Sequence, residues 1–169
     1  MYAMNTPSAK KLAAQKLAAA LPFDPQCKAA LQNLLGFLRA MHWNYWTAHW
    51  QVKGDPFYGD HLMFQRLYEG MEGEIDGTAE KIVGIYGSEA VGGHDSIDRA
   101  HNVLKRWCDN ADLFARALQT EEELQMLLVQ VRSLLDSKGH LSLGLDNFLQ
   151  GLADTHETNV YLLQQRTTP

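Results

Sequence analysis

The feature that most constrains this chain is an apolar stripe that stays in helical register for about six turns. Leu31, Leu34, Leu35, Leu38, Met41, Tyr45, Ala48 and Val52 recur at spacings of three and four. That period closes a single face on a helix and scatters residues to both faces of a strand. Asp24 followed by Pro25 supplies a start signal, an N-cap side chain and a residue whose missing N–H costs nothing in the first turn. Gly54 and Pro56 end the segment. No alternating apolar pattern long enough to argue a strand occurs anywhere, so the fold class is all-α.

A second helix is expected over Phe57 to Tyr86, with Leu67, Met71, Ile75, Ile82 and Tyr86 on its apolar side, broken by Gly87, Gly92 and Gly93. A short amphipathic piece follows, from about Ser96 to Trp107. "TEEEL" reads as a capping box in which Thr120 and Glu123 satisfy each other's amides, opening a third helix that runs to about Lys138 and stops at Gly139. The last helix is expected over Leu141 to Gln165. The architecture is a four-helix bundle with a short extra helix in the connection between helices two and three. Residues 1–24 form an N-terminal tail and residues 25–169 the bundle, one domain in a chain of 169 residues.

Bulk composition narrows the class. No apolar run reaches the roughly eighteen residues needed to span a bilayer, and no charged segment leads into an apolar core to mark secretion. Cys27 and Cys108 are too few and too far apart for a disulfide framework, so a reducing cytoplasm is the expected location. A net charge of −5 is poorly suited to polyanions. The tail lysines Lys10, Lys11 and Lys16 are a short basic arm or a solvated helical lead-in, and DNA binding is not favoured.

The chemistry concentrates in helices one and two. Glu69, Asp76 and Glu80 fall within about 40° of one another around helix two, a carboxylate stripe. Gly70, Gly73 and Gly77 occupy the adjoining sector, at roughly 1 kcal/mol each relative to alanine. Two readings stand: close approach by another backbone with acids at its edge, or a solvated face that tolerates glycine. His49 and His61 lie nearly equidistant from the Gly54–Pro56 turn, so their imidazoles converge as metal ligands or as plain polar residues at neighbouring helix ends. Asp76 and Glu80, one turn apart, can share an ion. Fifteen residues separate His61 from Asp76, roughly 22 Å along a helix, whereas coordination bonds are about 2 Å long. If the four residues serve one ion, histidines and carboxylates come from different copies of the chain, and a two-fold axis makes the site twice.

These residues resemble the Dps proteins, the mini-ferritins. The family pattern is close to H-W-N-V-K-G, a second histidine twelve residues after the first, then D-x-x-x-E; here it stands as "HWQVKG" from His49, His61, and "DGTAE" from Asp76 to Glu80. The similarity covers most of the chain after about residue 25, including the short extra helix and the closing "LADTHETNVYLLQQR". The resemblance implies a ferroxidase that oxidises Fe²⁺ with peroxide or dioxygen, stores ferric oxide in a hollow shell and protects against oxidative damage. It implies His49 and His61 as iron ligands from one subunit and Asp76 and Glu80 from its dyad mate, with Glu80 the main anionic ligand. Trp50 would stand beside the site and scavenge oxidising equivalents. The implied assembly is a homo-dodecamer built from two-fold dimers. Imidazole and carboxylate ligands suit iron, which cycles between two oxidation states.

The chain departs from the pattern at Gln65, where many members carry an acid that helps to bind a second iron; Glu69, one turn on, is the residue placed to compensate. Two alternatives remain, a DNA-compacting or purely structural oligomer and a di-iron oxidoreductase with its site inside one bundle. The second needs Glu-x-x-His pairs, and none occurs in the sequence. His42 is either part of an intrasubunit site facing Glu69 and Glu72 or an ordinary polar histidine. His94, Asp98 and His101 are either a surface metal site or polar packing. His156 has acidic neighbours without the offset of a pair. Asp146 and Asp154 are candidates for the route by which iron enters the shell, and Trp43, Tyr45 and Trp46 read mainly as packing.

Overall fold

The structure, a computed structural model, describes residues 24–168, so the lysine-bearing tail lies outside the described residues. Five helices follow one another: α1 (Pro25–Gln51), α2 (Phe57–Tyr86), α3 (Gly93–Trp107), α4 (Leu113–Ser137) and α5 (Leu143–Thr167). A short 3₁₀ turn, Ser88–Ala90, leads into α3. None of the described helices is long and apolar enough to cross a membrane.

α1 starts as its sequence dictates. Asp24 accepts hydrogen bonds from the amides of Gln26 and Cys27, and Pro25 occupies the first helical position. All eight residues of the apolar stripe are buried. Further buried residues on α1, among them Phe37, Ala40 and Asn44, give it a second covered side. It is the central helix, packed against α2, α3 and α4, while α5 lies mainly on α4. Trp107 at the end of α3 is fully buried and meets Phe37 edge-on, with ring centroids 5.3 Å apart.

Close helix approach falls on a different glycine from those singled out by pattern. A Cβ built on Gly36 of α1 would lie 2.5 Å from the Cβ of Arg99, so α3 crosses α1 there at a distance only glycine permits. A Cβ on Gly70 or Gly73 would meet nothing within 4 Å, and one on Gly77 would meet only the Phe148 ring. Among the described residues no backbone approaches that face, which corrects the close-approach reading of the three glycines within a single subunit.

The third long helix starts earlier than the capping-box signal implies. Asp112 caps α4 through the amides of Phe114 and Ala115, so Thr120 and Glu123 lie inside it. Thr120 is fully buried and donates to the Ala117 carbonyl. Glu123 accepts from Arg106, the Trp107 indole and Gln119. A Thr-x-x-Glu pair caps a helix only where the chain in front of it is not already helical, and Asp112 had begun the helix two turns before. α3 begins at Gly93 rather than Ser96, and α5 at Leu143 under a Ser142 cap rather than at Leu141. α2 occupies the expected span, residue for residue.

Candidate metal centre

Gly54, at a φ of 94°, turns the chain between α1 and α2. The antiparallel hairpin it closes brings His49, in the last turn of α1, beside His61, in the second turn of α2. The rings stack with centroids 3.6 Å apart and planes 24° from parallel. Each Nδ1 lies 2.9 Å from the other residue's backbone carbonyl oxygen. A carbonyl only accepts, so each Nδ1–H donates, and neither Nε2 has a hydrogen-bond partner among the described residues. Metal-bound histidines are oriented in the same way, one ring nitrogen fixed by an acceptor and the other turned to the ion. His49 is 8% exposed and His61 half-buried.

Neighbours brace the pair. Phe57 stacks on His61 at 5.1 Å, and Tyr68 meets the His49 ring edge-on at 5.3 Å. The sequence reading assigned neither to the site, although Phe57 is four residues before His61 and Tyr68 seven after it, the spacings that share a helix face. Asp60, beside His61, is buried and held by a bidentate pair with Arg166, at 2.7 and 2.9 Å, which ties the first turns of α2 to the end of α5. Trp50 is 58% exposed and packs on Trp46 at 5.1 Å, extending an aromatic row through Trp43 and His42. Tyr45 does not share this half-buried to exposed row; it is wholly buried.

The carboxylates lie elsewhere on the same chain. α2 is one continuous helix, so Asp76 and Glu80 stand roughly 22 Å or more beyond His61, both exposed. One subunit therefore does not assemble the four residues. Gln65 donates to Glu69 at 2.7 Å, which joins amide and acid one turn below His61. Between the two ends runs an open apolar groove of about 690 Å³ lined by Trp43, Trp46, Ile75, Ile97 and Leu104, with His42 and His101 at its walls.

The other histidine candidates resolve differently. His42 is half-buried against Trp46 and Tyr68, and burial lowers its pKa against the opposing charge of Glu72. His94 pairs with Asp98 at 3.2 Å, both exposed, while His101 faces the groove. Asp146 is engaged with Arg132, which holds its carboxyl below the usual range, and Asp154 is exposed.

The bundle centre holds a polar cluster that the sequence reading missed. His156 of α5, with no exposed surface, places Nδ1 2.5 Å from Glu121 of α4 and Nε2 2.9 Å from Glu74 of α2. Tyr45 of α1 donates to the other Glu121 oxygen at 2.7 Å and lies 3.0 Å from the Thr120 hydroxyl. Burial pulls the His156 pKa down, but the hydrogen bonds and charges of Glu121 and Glu74 outweigh it and push it up to about 9. Burial, reinforced by Glu121, drives the Tyr45 phenol well above its usual range. An imidazolium between two carboxylates uses both ring nitrogens, so this centre is a closed ion triad with no lone pair left for iron. The signal was present: His156 falls on the buried stripe Leu145, Leu149, Leu152, Asn159 and Leu163, where a charged residue needs a partner.

No protein-family model matches the sequence, and no curated protein matches it. Solved structures do. Dps from Thermosynechococcus elongatus superposes with a TM-score of 0.73 at 18% identity, over 92% of this chain and 96% of that one. Dps from Vibrio cholerae O1, described as a member of a broad superfamily of ferritin-like diiron-carboxylate proteins, gives 0.69 at 19% identity, over 99% of this chain and 100% of that one. Mycobacterium smegmatis Dps gives 0.70 at 19% identity, over 100% and 96%. Superposition of the helical chain nearly end to end establishes that it has the ferritin-like four-helix-bundle fold of the Dps proteins.

Proposed function

We propose that the chain is an iron-oxidising and iron-storing subunit whose ferroxidase site forms only between two copies. The observation that carries this reading is the reciprocal fixing of His49 and His61 through Nδ1, which leaves two Nε2 donors together at a helix-hairpin end. Fe²⁺ is the substrate these donors would take, completed by Asp76 and Glu80 of a second copy. The apolar groove beside Ile75, with Trp43 and Ile97 each more than half exposed, supports an association that covers it. Two-fold pairing along the α1–α2 face would place α2 of each copy against the histidine end of the other. Trp50, exposed and packed at a tilt on Trp46, would take an oxidising equivalent that escapes the iron. Peroxide or dioxygen is the oxidant, and the ferric product collects inside a shell.

Anaerobic Fe²⁺ loading followed by peroxide or dioxygen tests the centre. His49→Ala and Asp76→Ala are each expected to slow oxidation at least tenfold, and an equal mixture of the two variants to recover part of the rate, because some mixed interfaces carry one intact site. Wild-type rates in both variants would remove the assignment. Light scattering is expected to give about 228 kDa for twelve chains of 19.0 kDa, and a stable monomer would overturn the shared site.

A further inference from the structure

A second constellation lies at the opposite end of α1. Asp24 and Cys27 are three residues apart at the helix start and share one side of its first turn. The α4–α5 turn folds against them. Gly139, at a φ of 70°, lets the chain reverse, and the turn is closed by hydrogen bonds from the Gly139 amide to the Asp136 carbonyl and from the His140 amide to the Leu135 carbonyl. His140 is thereby set beside the start of α1. A carboxylate oxygen of Asp24, the Cys27 sulfur and a ring nitrogen of His140 all lie within 4.8 Å of one another. They are the three side chains among the described residues that converge in this way.

We propose that Asp24, Cys27 and His140 form a three-ligand site for a zinc-class divalent cation, which clamps the first turn of α1 to the α4–α5 turn. Bonds of about 2.0 to 2.3 Å to sulfur, nitrogen and oxygen need the three atoms drawn only about 1 Å closer together. The backbone is already set. Asp24 Oδ1 is fixed by the Gln26 and Cys27 amides at 2.8 and 3.1 Å, which leaves Oδ2 as the oxygen to offer. Lys138 Nζ now stands 3.4 Å from Oδ2, an ammonium where a cation is wanted, and the ion would displace it. The thiol is fully buried, while Asp24 and His140 each keep one side towards solvent and give the ion its way in. On binding, the Cys27 proton passes to solvent and a water fills the fourth position. A thiolate in the set selects zinc-like ions over magnesium or calcium. The site shares no residue with the iron centre and stands whether or not that centre oxidises iron.

Anaerobic titration of the full-length, metal-stripped protein with Co²⁺ tests it, because only a sulfur ligand gives the intense near-ultraviolet sulfur-to-cobalt charge-transfer absorption. The band is expected to saturate at one Co²⁺ per chain and to be displaced by Zn²⁺. It is expected to vanish in Cys27→Ser, to need at least tenfold more Co²⁺ in His140→Ala, and to persist in Cys108→Ser and in His49→Ala. Absence of the band, or its survival in Cys27→Ser, overturns the site. His140 lies in a surface turn, so if Cys27→Ser does not fold, His140→Ala decides, and unchanged Co²⁺ affinity there overturns the proposal.

Discussion

His49 with His61, and His156 with Glu74 and Glu121, show two opposite ways of holding histidine in one bundle. In the first, each ring spends Nδ1 on a backbone carbonyl, and Nε2 has no partner among the described residues. In the second, both nitrogens of one ring are spent on carboxylates and the ring is held as a cation. The first arrangement is incomplete and sits at an edge; the second is complete and sits where four helices meet. Burial alone does not separate them, because His49 and His156 are both buried. The partner of the second nitrogen does. Under the proposed function one arrangement binds what comes from outside the chain, whereas the other holds the chain together.

The contrast is broken most forcefully at His156. His156→Ala strands two carboxylates in the core and is expected to cost about 3–5 kcal/mol, measured by denaturant unfolding. His49→Ala is expected to cost far less stability while it slows iron oxidation. If the two variants lose stability equally, the distinction between them fails.

Next in size is a dependence on pH. The folded pKa of His156 is raised to about 9, above the ordinary value of 6.5. The folded state therefore binds more protons than the unfolded one between these values, and stability falls as pH rises through that window. Its contribution is full below about pH 6.5 and lost above about 9, a change of roughly 3 kcal/mol at 1.36 kcal/mol per unit. Unfolding free energies measured from pH 6 to 10 are expected to show this slope in wild type and to lack it in His156→Gln.

Tyr45→Phe removes one donor to Glu121 and is expected to cost about 1–3 kcal/mol, with the iron-oxidation rate unchanged. A rate that fell with it would tie the closed cluster to the open site. The smallest effect is expected from Gln65→Glu, which puts a second acid beside Glu69. It should raise iron uptake per site and change the rate a few-fold, with no loss of melting temperature beyond that caused by like-charge repulsion on an exposed helix face. Unchanged stoichiometry in an iron titration would show that position 65 does not reach the metal.

Much of the scaffold was legible beforehand. The cap at Asp24, the stripe from Leu31 to Val52 and the full span of α2 depend on local periodicity and on the stereochemistry of Asp, Gly and Pro. The meeting of His49 and His61 was legible for a related reason: a turn midway between two histidines is a local feature. The start of α4 was misread because two capping signals competed, and Asp112 prevails by lying upstream. Gly36 was overlooked because a single glycine on an apolar helix carries no sign of what will cross it. The ion triad escaped because Glu74, Glu121 and His156 are 47 and 35 residues apart and each has an exposed acid close by in sequence to distract from it.

By itself the sequence determined the five helices of the described residues, their order, the buried faces of α1 and α2, and the separation along α2 that keeps His61 from Asp76 and Glu80 within one subunit. Helical period and rise are properties of the backbone and need no knowledge of neighbours. Only the tertiary structure decided which ring nitrogens are engaged by backbone carbonyls, that Gly36 is where α3 crosses, that the bundle centre is shut by an imidazolium, and that Asp24, Cys27 and His140 meet. Each of these depends on the rotation and register of helices distant in sequence, set by how whole faces pack and not by any one segment.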